Sequence, residues 1–427
     1  MVYVKQVWSD SPSTSSPINA AALNHMESGI YAASSPDTAG TRRVEALSAA
    51  GIQPWHSALS RRPFATARVA CLGTSNTAGS TLSHWADVYM QRAQTTMRKK
   101  WDCPTAGGLG WIPAIKDGLD ANDLVTISGG TQNYLGGYGY TQLSASGNNI
   151  VFSLPAGGTS VKLRYRNRAA GVFSWKIDSG AATNITTTSQ SGNSSYLGSA
   201  TITLPSDTAT HTLTLTWVSG TPQINGIYHY NGDESSGIQI DNFGQGAATT
   251  SNFTSDGDAY GVVLNIADMG YQLIILEFQG NDISAGNTVA QYKANMQSII
   301  SYYDSAYTGL GKTPPAYLLT SITPGVGSTG DTAAALTTWI GYQTARDEIA
   351  AANPTRVSTA MLSAWLPVDW TADSSILPGA LDPISGMPSN PTLVNQLYGS
   401  GHWNASGHAL ISDHLVRLLG GNLGQIG

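Results

Sequence analysis

The stretch "GHWNASGH", residues 401–408, holds two of the chain's eight histidines, just before a C-terminal helical pattern. An imidazole can take a proton from a hydroxyl near neutral pH, so His402 raises the question of which hydroxyl it could serve. One candidate is Ser75 in "CLGTSNTAG", on the turn that leaves the apolar segment "ARVACLG". A serine hydroxyl is a poor nucleophile until a base removes its proton, and attack on an ester puts negative charge on the former carbonyl oxygen. That charge needs donors already aimed at it. "FQGNDI" offers the uncharged side-chain amide of Asn281, and "NFGQGAATT" offers backbone N–H groups at Gly244 and Gly246. Each residue alone has a plainer reading: Ser75 as a helix N-cap, Asn281 as a turn stabiliser, His402 as an exposed loop histidine, the glycines as points of backbone freedom. His408 reads as structural, and a His402/His408 pair lacks the further ligands a metal would need.

Taken in chain order, these elements resemble four blocks of the SGNH (GDSL-like) hydrolase superfamily. "CLGTSNTAG" is similar to the first block, "NFGQGAATT" to the second, "FQGNDI" to the third and "GHWNASGH" to the fifth. The resemblance implies a three-layer α/β/α fold with a parallel sheet, and ester hydrolysis, often the removal of acetyl groups from polysaccharides. It implies no cofactor and no metal. Residue by residue, it makes Ser75 the nucleophile and His402 the base. The oxyanion hole would comprise the N–H of Ser75, the N–H of Gly246 and the amide of Asn281, Gly246 being chosen over Gly244 for its place before "AATT". Two positions depart from the family. Gly73-Thr74-Ser75 replaces Gly-Asp-Ser, and Gly399 stands three residues before His402, where the family has its orienting Asp. Three outcomes follow: a backbone carbonyl holds the imidazole as a dyad, an acid from the preceding loop (Asp369, Asp373 or Asp382) takes the role, or activity is lost.

Those residues need a scaffold that brings strand ends together. Short apolar segments at 67–73, 271–278, 316–321 and 358–362 alternate with helical patterns near 286–305 and 331–352. This alternation predicts a parallel α/β sheet covered on both faces, with ligands at the carboxyl ends of its strands. Between the first two strands lies a different segment: from Leu124 to Gln223 only seven residues are charged. "SVKLRYR" and "HTLTLTW" alternate in period two, predicting Val161, Leu163, Tyr165 and Leu213, Leu215, Trp217 on inward faces. The expected organisation is therefore a hydrolase-like domain of residues 67–123 and 233–427, interrupted by an antiparallel, jelly-roll-like β-sandwich over 124–232. Residues 36–66 read as a Pro/Ser-rich linker.

The N-terminal string "WSDSPSTSSPINAAALNHMESGI" carries a short apolar stripe, Leu23, Met26 and Ile30, that could not form a core alone. It resembles the N-terminal motif of bacteriophage minor tail and tail-fibre proteins. That resemblance implies that residues 1–35 attach to other tail proteins, a place on the virion at the host surface, and a homotrimer. No secretory signal is expected in the first thirty residues.

Composition narrows the partners. Only 11% of residues are charged and the net charge is -6, which gives no basic footprint for nucleic acid or an anionic membrane. "YQLIILEF" is too short to span a bilayer. The expected partner is a host cell-envelope polysaccharide or glycolipid. The competing function is a catalytically weak or inactive receptor-binding protein, in which aromatics such as Tyr134, Tyr138 and Tyr140 stack on sugar rings.

Overall fold

The computed structural model describes residues 51–116, 122–134, 139–190, 197–255, 262–321, 333–361, 398–399 and 402–420. Residues 1–35, Tyr138, Asp369, Asp373 and Asp382 lie outside these, as does the linker as far as residue 50.

Five strands form one parallel sheet: β1 (Ala67–Gly73), β2 (Ile238–Gly244), β3 (Leu273–Glu277), β4 (Ala316–Ser321) and β5 (Val357–Met361), in the order β2-β1-β3-β4-β5. The apolar runs of the sequence are continuous rather than alternating because both faces are covered. Alternate residues go to opposite sides. Ala70, Leu72, Ile274, Leu276, Tyr317 and Leu319 join a core with the helices Val262–Met269, Val289–Gly309 and Ala333–Ala352. Val69, Cys71, Ile240, Ile275 and Leu318 join another with Gln53–Ser60, Tyr89–Lys100 and Ala405–Gly420. The Val289–Gly309 helix starts on a capping box, Thr288 with Gln291, which satisfies two donors of its first turn.

The chain reverses winding at β1, which has β2 on one side and β3 on the other. Crevices at the carboxyl ends of strands open at such a point. Ser75 leaves β1 there.

The structure corrects the linker expected over residues 36–66. Gln53–Ser60 is a helix with Pro54 in its first turn, and Ile52, Trp55 and Leu59 are buried in the second core. Trp55 Nε1 donates to Leu419 O at 2.8 Å, pinning this helix to the last one.

Between β1 and β2 lie two antiparallel sheets. One contains Ser160–Arg166, Leu197–Thr203 and Gln223–Tyr230, and the other Asn149–Leu154, Gly171–Ile177 and His211–Gly220. Their facing residues, Val161, Leu163, Ile224, Ile227, Phe152, Leu213 and Leu215 among them, make one apolar cluster. Gly110–Pro113, expected with the hydrolase portion, pairs antiparallel with Gln223–Tyr230 and belongs to this insert. The insert is anchored rather than tethered. Trp111 N–H and Tyr271 Oη both donate to the buried Asp241 carboxylate of β2, and Arg164 of the insert pairs with Asp268.

Candidate active site

Ser75 opens a four-residue helix, Ser75–Ala78, directly after β1. Thr74 is its N-cap in extended conformation, its hydroxyl accepting from Asn76 N–H at 3.4 Å. The expected N-cap is thus the residue before Ser75, which leaves the Ser75 hydroxyl for another partner. That partner is His402: Nε2 lies 2.9 Å from Ser75 Oγ. The two residues are 327 positions apart in sequence.

The C-terminal motif explains how the imidazole arrives there. Trp403 is buried, and its N–H donates to Asn76 Oδ1 at 3.3 Å. Asn404 Oδ1 accepts from the N–H groups of Ser406 and Gly407, capping the Ala405–Gly420 helix. His408 Nδ1 accepts the Tyr89 N–H at 3.1 Å, and burial pulls its pKa down to about 3, aided by Arg92 and His402. His408 is a neutral packing histidine, as the sequence reading has it. Gly399 is the ladder partner of His402 in a two-strand pair, Tyr398–Gly399 with His402–Trp403. The position where the resemblance expects an orienting acid is therefore adjacent to the histidine across the ladder.

The glycine block divides its work between two residues. At Gly244 a Cβ would lie 2.2 Å from Ala78 N and 2.6 Å from Thr77 C, so only glycine allows β2 to pass the Ser75–Ala78 helix. Asn242 straps the same contact, donating from Nδ2 to Thr77 O at 2.7 Å. Gly246 sits in the following turn, partly exposed, before Ala247 at φ 56. Among the described residues neither Ser75 N–H nor Gly246 N–H donates a hydrogen bond.

Asn281 lies in Gly280–Ser284 at the end of β3, half-buried, with Nδ2 donating to Ala248 O at 2.9 Å. One amide N–H is engaged with the glycine turn and the second is left to donate. Its neighbour Asp282, which the sequence reading did not single out, is buried and ties the same turn. Its carboxylate accepts from Thr250 N–H and Oγ1 and from Asn287 Nδ2. Burial pushes the Asp282 carboxyl above the usual range, against these hydrogen bonds.

Glu277 and Thr77 are also new. An acid closing an otherwise apolar strand was a visible signal, because a buried carboxylate must find donors. No group of three or more His, Cys, Asp or Glu side chains able to hold a metal occurs among the described residues. No helix among them is long and apolar enough to cross a membrane.

No family model and no curated protein matches the chain. Among solved structures, the chain is similar to a family two carbohydrate esterase from Clostridium thermocellum in complex with cellohexaose, at 11% identity and TM-score 0.30 over 69% of this chain and 99% of that one. It is also similar to a carbohydrate esterase family 2 enzyme plus carbohydrate-binding domain from Corynascus thermopiles (Myceliophthora fergusii), at 13% identity and TM-score 0.32 over 70% and 99%. A third is a salicylyl-acyltransferase from a tetracycline biosynthetic pathway, at 10% identity and TM-score 0.29 over 71% and 96%. Likeness this slight carries neither a fold nor an activity, so both rest on the sheet order and on the contact between Ser75 and His402.

Proposed function

We propose that the chain is a serine ester hydrolase of the SGNH type. More particularly, we read it as a carbohydrate O-deacetylase of a phage tail that acts on ester groups of the host cell envelope. The observation that carries the hydrolase reading is the 2.9 Å approach of His402 Nε2 to Ser75 Oγ, at the carboxyl end of β1 where the winding reverses.

In the first half-reaction, neutral His402 takes the Ser75 proton on Nε2 as Oγ attacks the ester carbonyl carbon. The carbonyl π electrons move to oxygen, and the tetrahedral oxyanion meets the N–H groups of Ser75 and Gly246 and the Asn281 amide. Collapse breaks the C–O bond to the sugar oxygen, which takes the proton from His402 and leaves Ser75 acylated. Water then attacks the acyl-enzyme with His402 again as base, releasing the carboxylic acid and restoring Ser75. Neutral donors suit this oxyanion because they stabilise its charge without forming an ion pair that would outlast the step.

For the imidazole to accept on Nε2, its proton must be on Nδ1. A backbone carbonyl acting on Nδ1 fits a chain with Gly399 in the acid's place; Asp369, Asp373 and Asp382 are the alternatives. Attachment through residues 1–35, the virion location and a homotrimer rest on the tail-protein motif of the sequence.

Turnover of 4-nitrophenyl acetate tests the hydrolase reading. The wild-type chain should hydrolyse it, with Ser75→Ala and His402→Ala near the uncatalysed rate and still folded. Hydrolysis by Ser75→Ala at the wild-type rate would refute it. A folded wild-type chain with no turnover that still binds envelope glycan would favour the receptor-binding reading.

A further inference from the structure

Glu277 closes β3 and is fully buried. Taking a carboxylate out of water costs several kcal/mol unless donors converge on it, and an apolar residue in its place would avoid that penalty. Here the donors come from the turn around Ser75. Glu277 Oε2 accepts from Thr74 N–H at 3.0 Å, Thr74 Oγ1 at 2.8 Å and Thr77 Oγ1 at 3.0 Å. One carboxylate oxygen thus grips the residue before the nucleophile and the residue two after it. Thr77 Oγ1 also meets Tyr89 Oη at 3.0 Å, and Tyr89 N–H donates to His408 on the helix that follows His402. The grip needs Gly73, since a Cβ there would lie 2.3 Å from Thr77 Oγ1 and 2.8 Å from Glu277 Oε2.

We propose that Glu277 is a positioning residue for the nucleophile, holding the 74–77 turn so that Ser75 Oγ meets His402 and Ser75 N–H faces the oxyanion. The proposal rests on Ser75 being the nucleophile. It also gives the departure from Gly-Asp-Ser a physical reason. A Thr74 hydroxyl can donate to the Glu277 carboxylate, whereas an ionised Asp would repel it. Glu277 touches no reacting atom, so its effect falls on the placement of Ser75 and not on substrate affinity.

The test compares wild type, Glu277→Gln, Thr77→Val and the double variant. Each is measured by the rate at which a fluorophosphonate labels Ser75, by kcat and KM on a small acetyl ester, and by a thermal melt. Gln keeps the shape and one neutral acceptor. Labelling and kcat of Glu277→Gln should fall together by about tenfold to a hundredfold, the scale of misplacing a reacting group by up to about 1 Å, with KM nearly unchanged. Thr77→Val should lose less, and the double variant should be little worse than Glu277→Gln, because Thr77→Val removes a hydrogen bond that the neutral Gln acceptor has already weakened. A folded Glu277→Gln that labels and turns over like wild type overturns the proposal. If Glu277→Gln does not fold, Thr77→Val decides: wild-type rates there overturn it equally. Labelling of Ser75 in wild type with unchanged rates in the variants defeats the role of Glu277 alone. A wild-type chain in which no serine is labelled defeats the nucleophile and the positioning role together.

Discussion

Acidification should loosen this fold through two buried neutral histidines. Burial pulls His408 down to about 3 and His229 down to about 4, from an ordinary value of 6.5. Both Nδ1 atoms accept backbone N–H groups, from Tyr89 and Leu109, so neither ring can take a proton there without losing its bond. The unfolded chain protonates these residues below about pH 6.5 and the folded chain does not, so their stabilisation is complete above that pH and is lost below it. At pH 5, about 1.5 units lower, each histidine should remove roughly 2 kcal/mol. Asp241 opposes them. Burial raises its carboxyl to about 6, so its folded form gains a proton first as pH falls and returns roughly 1.4 kcal/mol by pH 5. Asp282, also raised, acts in the same direction as Asp241. The ion pairs of His84 with Asp123 and of His211 with Asp178 and Asp207 also favour low pH, screened by solvent at the exposed His84 and at the half-exposed carboxylates around the buried His211. Set against Asp241 alone, the two histidines win by roughly 2–3 kcal/mol. Denaturant midpoints followed by tryptophan fluorescence at pH 7, 6 and 5 should fall steadily. In His408→Gln, which keeps an acceptor for Tyr89 N–H, the drop should shrink by roughly 2 kcal/mol, with every other titrating group cancelling in the comparison. Stability that is flat or rises toward pH 5, or a His408→Gln variant with the full slope, would refute the reasoning.

The other predictions concern the site and the ends of the chain. Asn281→Ala should lower kcat by roughly 10²–10³ by removing one oxyanion donor, and a change confined to KM would instead make Asn281 a substrate-binding residue. If a backbone carbonyl orients His402, replacing Asp369, Asp373 and Asp382 singly by Asn should each cost less than about tenfold. One of them falling by roughly 10⁴ would name a triad acid. Deleting residues 1–35 should leave small-ester turnover unchanged while removing attachment to the virion; loss of activity through misfolding would make that segment part of the hydrolase.

What the sequence revealed followed the strength of its local patterns. β1, β3 and β4 were legible as apolar runs because buried parallel strands need apolar residues on both faces. Ser75, Asn281 and His402 were picked out by type and chain order, after strands or before a helix, and the structure brings Ser75 and His402 together while tying Asn281 to the glycine turn at Ala248. The Gln53–Ser60 helix was hidden because its stripe of Ile52, Trp55 and Leu59 spans barely two turns amid Ser, Pro and Arg; what buries it is the last helix, more than 360 positions away. Gly110–Pro113 is four residues long, too short for a period to register. Glu277 was passed over within the apolar run that it closes; its partner Thr74 lies 203 positions earlier, and no local pattern encodes that pairing. Gly246 was preferred to Gly244 for its place before "AATT", but the reason Gly244 must be glycine, the backbone of the Ser75–Ala78 helix against it, has no trace in the spacing.

The most direct test of the central claim is to trap the covalent intermediate. Wild-type protein turning over an activated acetyl ester is quenched in acid, digested and mapped by mass spectrometry. The account predicts acetyl on the peptide containing Ser75, located at Ser75 by fragmentation, formed quickly enough to precede steady-state product and missing from Ser75→Ala and His402→Ala. Acetyl on another residue at a competent rate, or turnover with no acyl-enzyme at Ser75 even in the pre-steady state, would contradict it.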